Sequence, residues 1–429
     1  MGKYIFLVVS ILLMAILACS IPGTITLPGE TNTPSIESGT GGSPGGTGVT
    51  PAGTEVTPEV ILPPPPRAPV LQVAYGKGGN LWLWTETGGP TQLTNTGMDV
   101  GPRISPDGLQ IAFLHGEELW AINADGSNLH QLVSKAYLAS LVPPSSGRGV
   151  IHWFNWEPLS HNVFFGSSTA GEAYTVPVYD LQVAAADGGT APSILEGPGL
   201  GGVATFSPNG TMLALAQPTS ILLMNTDGSN YHQAITFDMV QTYSEWFYIP
   251  DVVWFADSSE FRTVIPAHDP LGNPSEGTFF WSIPVTGSPE EMASFTAVPA
   301  FQNAPLISPD GLNVTYLSPN GANSSLHLIG FYFGDELFSS FPAYQWGLVG
   351  WAPDSNGFVY WVDDVRNLWF GHIGSAAVLL TDTPHVENLH WIELTRILFT
   401  NDEELRIGAP GGASSVIDTG VTGGIDFSR

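Results

Sequence analysis

Hydrophobic and polar positions along residues 70–429 alternate in short runs with the period of two that belongs to strands. Ile111-Ala112-Phe113-Leu114, Leu119-Trp120-Ala121-Ile122 and Leu129 to Val133 are three such runs, and Pro102 and Ile104 belong to a fourth that precedes them. Polar turns separate them: Ser105-Pro106-Asp107-Gly108, His115-Gly116-Glu117-Glu118 and Asn123-Ala124-Asp125-Gly126-Ser127-Asn128. Proline presets φ, Asp bonds its own backbone and Gly accepts positive φ, so each turn reverses the chain. The predicted unit is a four-stranded antiparallel meander of about 35 residues.

The unit repeats. The strand-to-turn stretch Ile104 to Gly108 has counterparts at Trp156-Glu157-Pro158, Phe206 to Gly210, Phe255-Ala256-Asp257-Ser258, Ile307 to Gly311, Trp351 to Asp354 and Trp391-Ile392-Glu393. The Ser105 position therefore falls at 105, 157, 207, 256, 308, 352 and 392. A meander recurring at about 40–50 residues is the sequence sign of a β-propeller, an all-β ring of four-stranded blades none of which can bury both faces alone. The Asn123 to Asn128 turn is nearly copied at Asn225 to Asn230.

These repeats, in Ile104 to Val133 and Phe206 to Asn230, resemble those of TolB-type propellers, a family similar in turn to the propeller domains of prolyl oligopeptidases and dipeptidyl peptidases. The resemblance covers residues 70–429 at the level of the repeat. It implies the fold and leaves function open, because the peptidases act through an α/β-hydrolase domain for which this chain has no residues to spare. TolB's globular N-terminal domain has no counterpart either, so a role in a Tol-Pal complex is not implied.

Residues 70–98 supply the second, third and fourth strands of a blade that lacks its first. Gly423 to Ser428 matches the stretch Pro102 to Ser105, so the C-terminal strand is expected to complete the N-terminal blade and close the ring. The blades then run 70–98 with 423–429, 99–135, 148–197, 198–237, 247–297, 298–342, 344–384 and 385–421. The count is eight, or seven if a weak terminal unit is not a full blade.

The start of the chain is different in kind. Lys3 precedes an apolar run of about 15 residues, short for a membrane span and suited to a secretory signal. Ile16-Leu17-Ala18-Cys19 resembles a bacterial lipobox, although Leu17 is bulky for its place. The reading is a lipoprotein signal over residues 1–18 with lipid on Cys19, the chain's single cysteine, so that no intrachain disulfide or thiolate metal cage is expected. Residues 19–69 are mostly Pro, Gly, Thr, Ser and Glu and read as a disordered tether that places the propeller outside the cytoplasm, on the cell envelope. Its G-x-S-x-G match, Gly41 to Gly45, lacks the strand and helix of a nucleophile elbow. A net charge of −28 with only 11 Lys plus Arg disfavours nucleic acid and anionic lipid surfaces as partners.

Most of the 13 tryptophans fall at repeat-equivalent positions. Trp82, Trp120, Trp281 and Trp369 share one place on the third strand. Trp156, Trp351 and Trp391 share the Ile104 position, with Trp254 beside it in its own blade. Trp84 and Trp361 lie within strands. Packing between blades accounts for these. Trp153, Trp246 and Trp346 remain, and Trp246 lies near Tyr248 in the long segment 237–250.

Interblade connections and second-to-third-strand loops open on one face of a propeller, and 135–149, 166–177, 266–277 and 318–325 are all long. That face is the expected binding face. The candidate ligand contacts are Trp153, Trp246, Tyr248, Trp346, His268 and Asp269. The expected activity is non-enzymatic binding of a peptide, glycan or envelope protein by a monomer without cofactor or metal. The alternative is a glycan lyase or hydrolase using His268 and Asp269, or His385 and His390 with Glu387 between them.

Overall fold

The computed structural model describes residues 70–141, 147–170, 175–177, 180–187, 192–197, 202–244, 247–273, 276–298, 304–330, 334–342, 346–362, 367–381 and 383–428. The signal, Cys19 and the tether lie outside the described residues. So does Trp246.

Eight antiparallel sheets form a ring, each a blade of four strands with a fifth short strand in the third blade. In blades 2 and 4 to 8 the order of strands across the sheet is their order in the chain, and in blade 3 the fifth strand pairs beside the second. Blade 1 takes strands Gln72–Lys77, Asn80–Thr85 and Gly89–Gln92 from the start of the ring and Val421–Ser428 from its end. Val73 pairs with Phe427 and Tyr75 with Ile425, so the last strand is hydrogen-bonded into the first blade and the ring has no open seam.

Each blade is held to the next by its own apolar cluster. Blades 1 and 2 share Leu83, Ile104, Ile111 and Phe113. The closing interface, blades 8 and 1, is built on Leu71, Val73, Tyr75, Leu398, Leu405 and Ile425. Six further clusters join the other neighbours, so the core is a ring of eight interfaces. This is why an isolated meander would not fold alone: its buried faces exist only between neighbours.

The turn after the first strand explains the Ser-Pro-Asp-Gly signal. Ser105 Oγ donates to Asp107 Oδ1 at 2.6 Å and accepts from the Gln110 N–H at 2.9 Å, while the Leu109 N–H donates to Asp107 Oδ1 at 3.0 Å. Gly108, at φ 75°, supplies the left-handed corner. Ser308, Asp310 and Gly311 repeat the arrangement, as do Ser207, Asn209 and Gly210. Burial works to raise the Asp107 carboxyl, but hydrogen bonds from Ser105, the Leu109 N–H and His161 together outweigh it and hold the group below the usual carboxylate range.

In blades 5 and 7 a serine takes the glycine corner, Ser258 at φ 62° and Ser355 at φ 60°. Both hydroxyls are used between blades: Ser258 Oγ accepts from the Asn209 N–H at 3.1 Å, and Ser355 Oγ from the Asp310 N–H at 3.0 Å. A backbone cost of the left-handed region is thus offset by a bond to the preceding blade.

The strand register places Trp254 opposite Phe261, as Ile104 lies opposite Ile111, and the Phe255 N–H bonds the Glu260 carbonyl as the Ser105 N–H bonds that of Gln110. Trp254 therefore occupies the Ile104 position, and residue 255 rather than 256 is the Ser105 equivalent. The turn is set by Asp257 and Ser258, which take the places of Asp107 and Gly108. Three tryptophans at this position have one job. Trp156, Trp254 and Trp351 donate their indole N–H to the carbonyls of Arg103, Thr205 and Leu306 at 2.8, 3.0 and 3.0 Å, each in the preceding blade.

Candidate functional site

The first strand of each blade is the innermost, and those of blades 1 and 2, 2 and 3, 4 and 5, and 6 and 7 touch directly along the channel. The face carrying the interblade connections is elaborated. A short helix, Lys135–Leu141, buries Leu138 between blades 2 and 3. In blade 3 the strand Asn162–Ala170 pairs with Arg148–Trp156 as far as Ala170, and its last three residues also pair with the short strand Thr175–Pro177. The expected loop 318–325 is instead continuous hairpin: Asn320 pairs with Asn323 across Gly321 and Ala322, and Gly321 at φ 62° takes the left-handed corner of a two-residue turn. Its Ser- and Asn-rich composition resembled loop because this hairpin extends into solvent.

Trp153 is half-buried and packs in the cluster between blades 3 and 4. Its ring lies over Gly166, where a Cβ would come within 2.4 Å of Nε1. Trp346 begins the first strand of blade 7 and pairs with Val362 through the backbone. These two are thus on different blades from the remaining candidates.

Tyr248, His268 and Asp269 are brought together where the connection into blade 5 meets the second-to-third-strand loop of that blade. His268 is braced through Nδ1 and the Met239 carbonyl at 2.8 Å, and its own carbonyl accepts from the Gln241 N–H at 2.7 Å. Asp269 accepts from Tyr243 Oη at 3.0 and 3.1 Å and from the Gly272 N–H at 2.8 Å. Tyr243 is 67% exposed and takes a φ of 55°. The bond to Asp269 raises its phenol, with small help from burial. Both polar groups therefore latch the connection onto the loop.

Where the same connection enters blade 5 there is a cavity of about 250 Å³, lined by Tyr248, Asp251, Val252, Val253, Val264, Pro305, Leu306 and Ile307. It lies between the first strands of blades 5 and 6, Val252–Trp254 and Leu306–Ile307. Tyr248 is 9% exposed, donates to the Val264 carbonyl at 3.2 Å, and has its phenol pushed up by burial and then by Asp251. Asp251 contributes the carboxylate: its side chain is open to channel water, yet protein surrounds it closely enough that burial raises the carboxyl. Six of the eight lining side chains are aliphatic, and Tyr248 and the Asp251 carboxylate complete the wall. Sequence reading found Tyr248 but not Asp251, which stands one residue before a first strand in a region rich in carboxylates.

His385 is exposed at φ 54°, Glu387 is exposed, and His390 is half-buried with its ring edge-on to Phe427 at 5.9 Å. Burial, then the charge of Arg103, lowers the His390 pKa. Among the described residues no group of three His, Cys, Asp or Glu is placed to hold a metal ion, and no helix is long and apolar enough to cross a membrane.

No family model matches the chain, and no curated protein matches it. Among solved structures it is similar to the crystal structure of the eukaryotic initiation factor, with a TM-score of 0.52 at 9% identity over 84% of this chain and 98% of that one. That likeness concerns the fold alone. Porphyromonas gingivalis dipeptidyl peptidase 4 is similar at 0.44 and 12% identity, over 74% of this chain and 53% of that one. TolB from Acinetobacter baumannii is similar at 0.33 and 12% identity, over 60% and 69%.

Proposed function

We propose that this chain is a lipid-anchored, extracytoplasmic binding propeller that holds its ligand at the channel wall between blades 5 and 6, where the latched connection 237–251 enters blade 5. The observation that carries it is the cavity itself: aliphatic side chains, the Tyr248 ring and a single carboxylate, Asp251, in a chain whose net charge already favours cations. The matching ligand group is an apolar or aromatic moiety bearing an amine, as on a peptide or an envelope protein segment. Trp246, which lies outside the described residues in the same connection, is the proposed flanking contact. Anchoring rests on the Leu17-Ala18-Cys19 stretch, and Cys19→Ala should release the protein from membranes.

The test of the site is titration calorimetry with phenethylamine against the neutral 2-phenylethanol. A charge-assisted hydrogen bond contributes about 1.5–3 kcal/mol, so the amine should bind about tenfold or more tighter, and Asp251→Asn should abolish the difference. Equal binding of the two probes by the unaltered protein would overturn the assignment. His268 and Asp269 act in this reading as braces of the connection that carries Tyr248 rather than as reacting groups.

A further inference from the structure

A second site stands on the opposite side of the ring, and it goes beyond the reading above. Across an eight-bladed ring from the interface of blades 5 and 6 lies that of blades 1 and 2. The strand register puts Arg103, Asp426 and His390 at one level of three successive first strands: each directly precedes the residue at the Ile104 position, which is Ile104 itself, Phe427 and Trp391. The same level is occupied in blades 5 to 7 by Val253, Leu306 and Gly350. At this one level the channel wall is therefore ionisable in blades 8, 1 and 2 and without ionisable groups in blades 5 to 7.

Arg103 is the unusual member. Seven lysines and arginines lie among the described residues, and six of them, Lys77, Lys135, Arg148, Arg262, Arg396 and Arg406, form ion pairs. Arg103 forms none within 4.0 Å of a described carboxylate. Its side chain is exposed, and on an innermost strand the open side is the channel. Asp426 feels the charge of Arg103 from beyond ion-pair distance, while its carboxylate accepts the Ile104 N–H at 2.7 Å. Arg103's own backbone carbonyl holds the Trp156 indole. The seam is thus bonded through main chain and Asp426, and the guanidinium fork is left over. In a chain this poor in cations, an unpaired arginine beside a neutral imidazole is a place for a planar anion.

We propose that Arg103, flanked by His390 and Asp426, forms a carboxylate-binding site on the channel wall between blades 8, 1 and 2. The guanidinium takes the carboxylate in a two-pronged contact, His390 offers one further ring N–H, and the Phe427 face packs beside the ligand's body. The acidic exterior repels polyanions, so the site takes a single carboxylate.

The experiment is titration of the full chain with three probes: N-acetylphenylalanine, its neutral amide, and glucuronate. Binding of either acid, with the amide at least about tenfold weaker and Arg103→Gln reducing the acid to the level of the amide, is the expected result. The two acids distinguish a peptide terminus from a sugar acid as the source of the carboxylate. Arg103→Lys should recover only part of the affinity, because an ammonium cannot reproduce the fork. The melting temperature of Arg103→Gln should be unchanged. Acid and amide binding alike, neither acid binding, or a melting temperature lowered by Arg103→Gln would each overturn the proposal, the last by making the side chain part of the seam.

Discussion

Replacing the three tying tryptophans with phenylalanine isolates the contribution of a single N–H at each of three blade interfaces. Trp156, Trp254 and Trp351 are 3, 6 and 8% exposed, and each donates to a main-chain carbonyl of the preceding blade. Phenylalanine keeps an aromatic ring in the slot but removes the donor and leaves that carbonyl without its partner, a loss of about 1–2 kcal/mol per site. A control is built into the fold. Trp391 occupies the same repeat position in blade 8, and its Nε1 is buried with no hydrogen-bond partner, so Trp391→Phe loses ring volume without losing a bond.

Urea unfolding followed by tryptophan fluorescence and circular dichroism reads the difference. With a slope of about 3 kcal/mol/M, each tying variant should lower the midpoint by about 0.5 M. The three bonds lie at separate interfaces, so the triple variant should lose about 3–6 kcal/mol. Trp391→Phe costing as much as Trp351→Phe would refute the argument, since ring volume alone would then explain every variant. A triple variant no worse than one single variant would refute it as well.

Removal of residues 421–429 should open the ring at blade 1. It takes away Val421, Ile425 and the pairing of Phe427 with Val73, and burial of the first two alone contributes about 3–6 kcal/mol, so calorimetry should show the melting temperature of the propeller falling by about 10 °C or more. An unchanged melt would sink the closure. The Asp251 carboxyl is raised in the folded protein, so the native state holds its proton longer than the unfolded chain and stability falls as pH rises through the folded value. Asp251→Asn should therefore melt higher than the unaltered protein at pH 7, with the advantage gone below about pH 4. Asp107 has the opposite sign: its carboxyl is depressed, its stabilisation is present above the unfolded value and is lost as pH falls through the folded one. Asp107→Asn should lower the melting temperature at pH 7, and the gap should close on acidification, as thermal melts across that range would show.

The repeat was legible because each turn carries its own chemistry. Ser105-Pro106-Asp107-Gly108 closes a turn through bonds within six residues, so its copies mark the blades wherever they occur. It misled where chemistry and geometry part: at blade 5 the Asp257–Ser258 corner replaces the Asp–Gly one, and Trp254 was placed one residue away from its true position. The loop 318–325 misled for a related reason, since polar residues suit a solvent-exposed hairpin as well as a loop. For the candidate site, Tyr248, His268 and Asp269 could be found as residues the repeat did not explain, while their use as pocket wall and latch could not.

The sequence by itself determined the blade and the closure of the ring, because turns and strand alternation are local and the last strand carries the same pattern as the first strands of the other blades; it left the count at eight or seven, and the structure decided for eight. Only the tertiary structure decided which side chains meet across the channel. Ile104 and Asp426 are 322 residues apart, yet their bond helps define the wall on which Arg103 stands unpaired. Arg103, His390 and Asp426 each occupy an ordinary place in an ordinary strand. They become neighbours because the closed ring sets first strands side by side, and an arginine's lack of a partner is a property of that arrangement rather than of any stretch of chain.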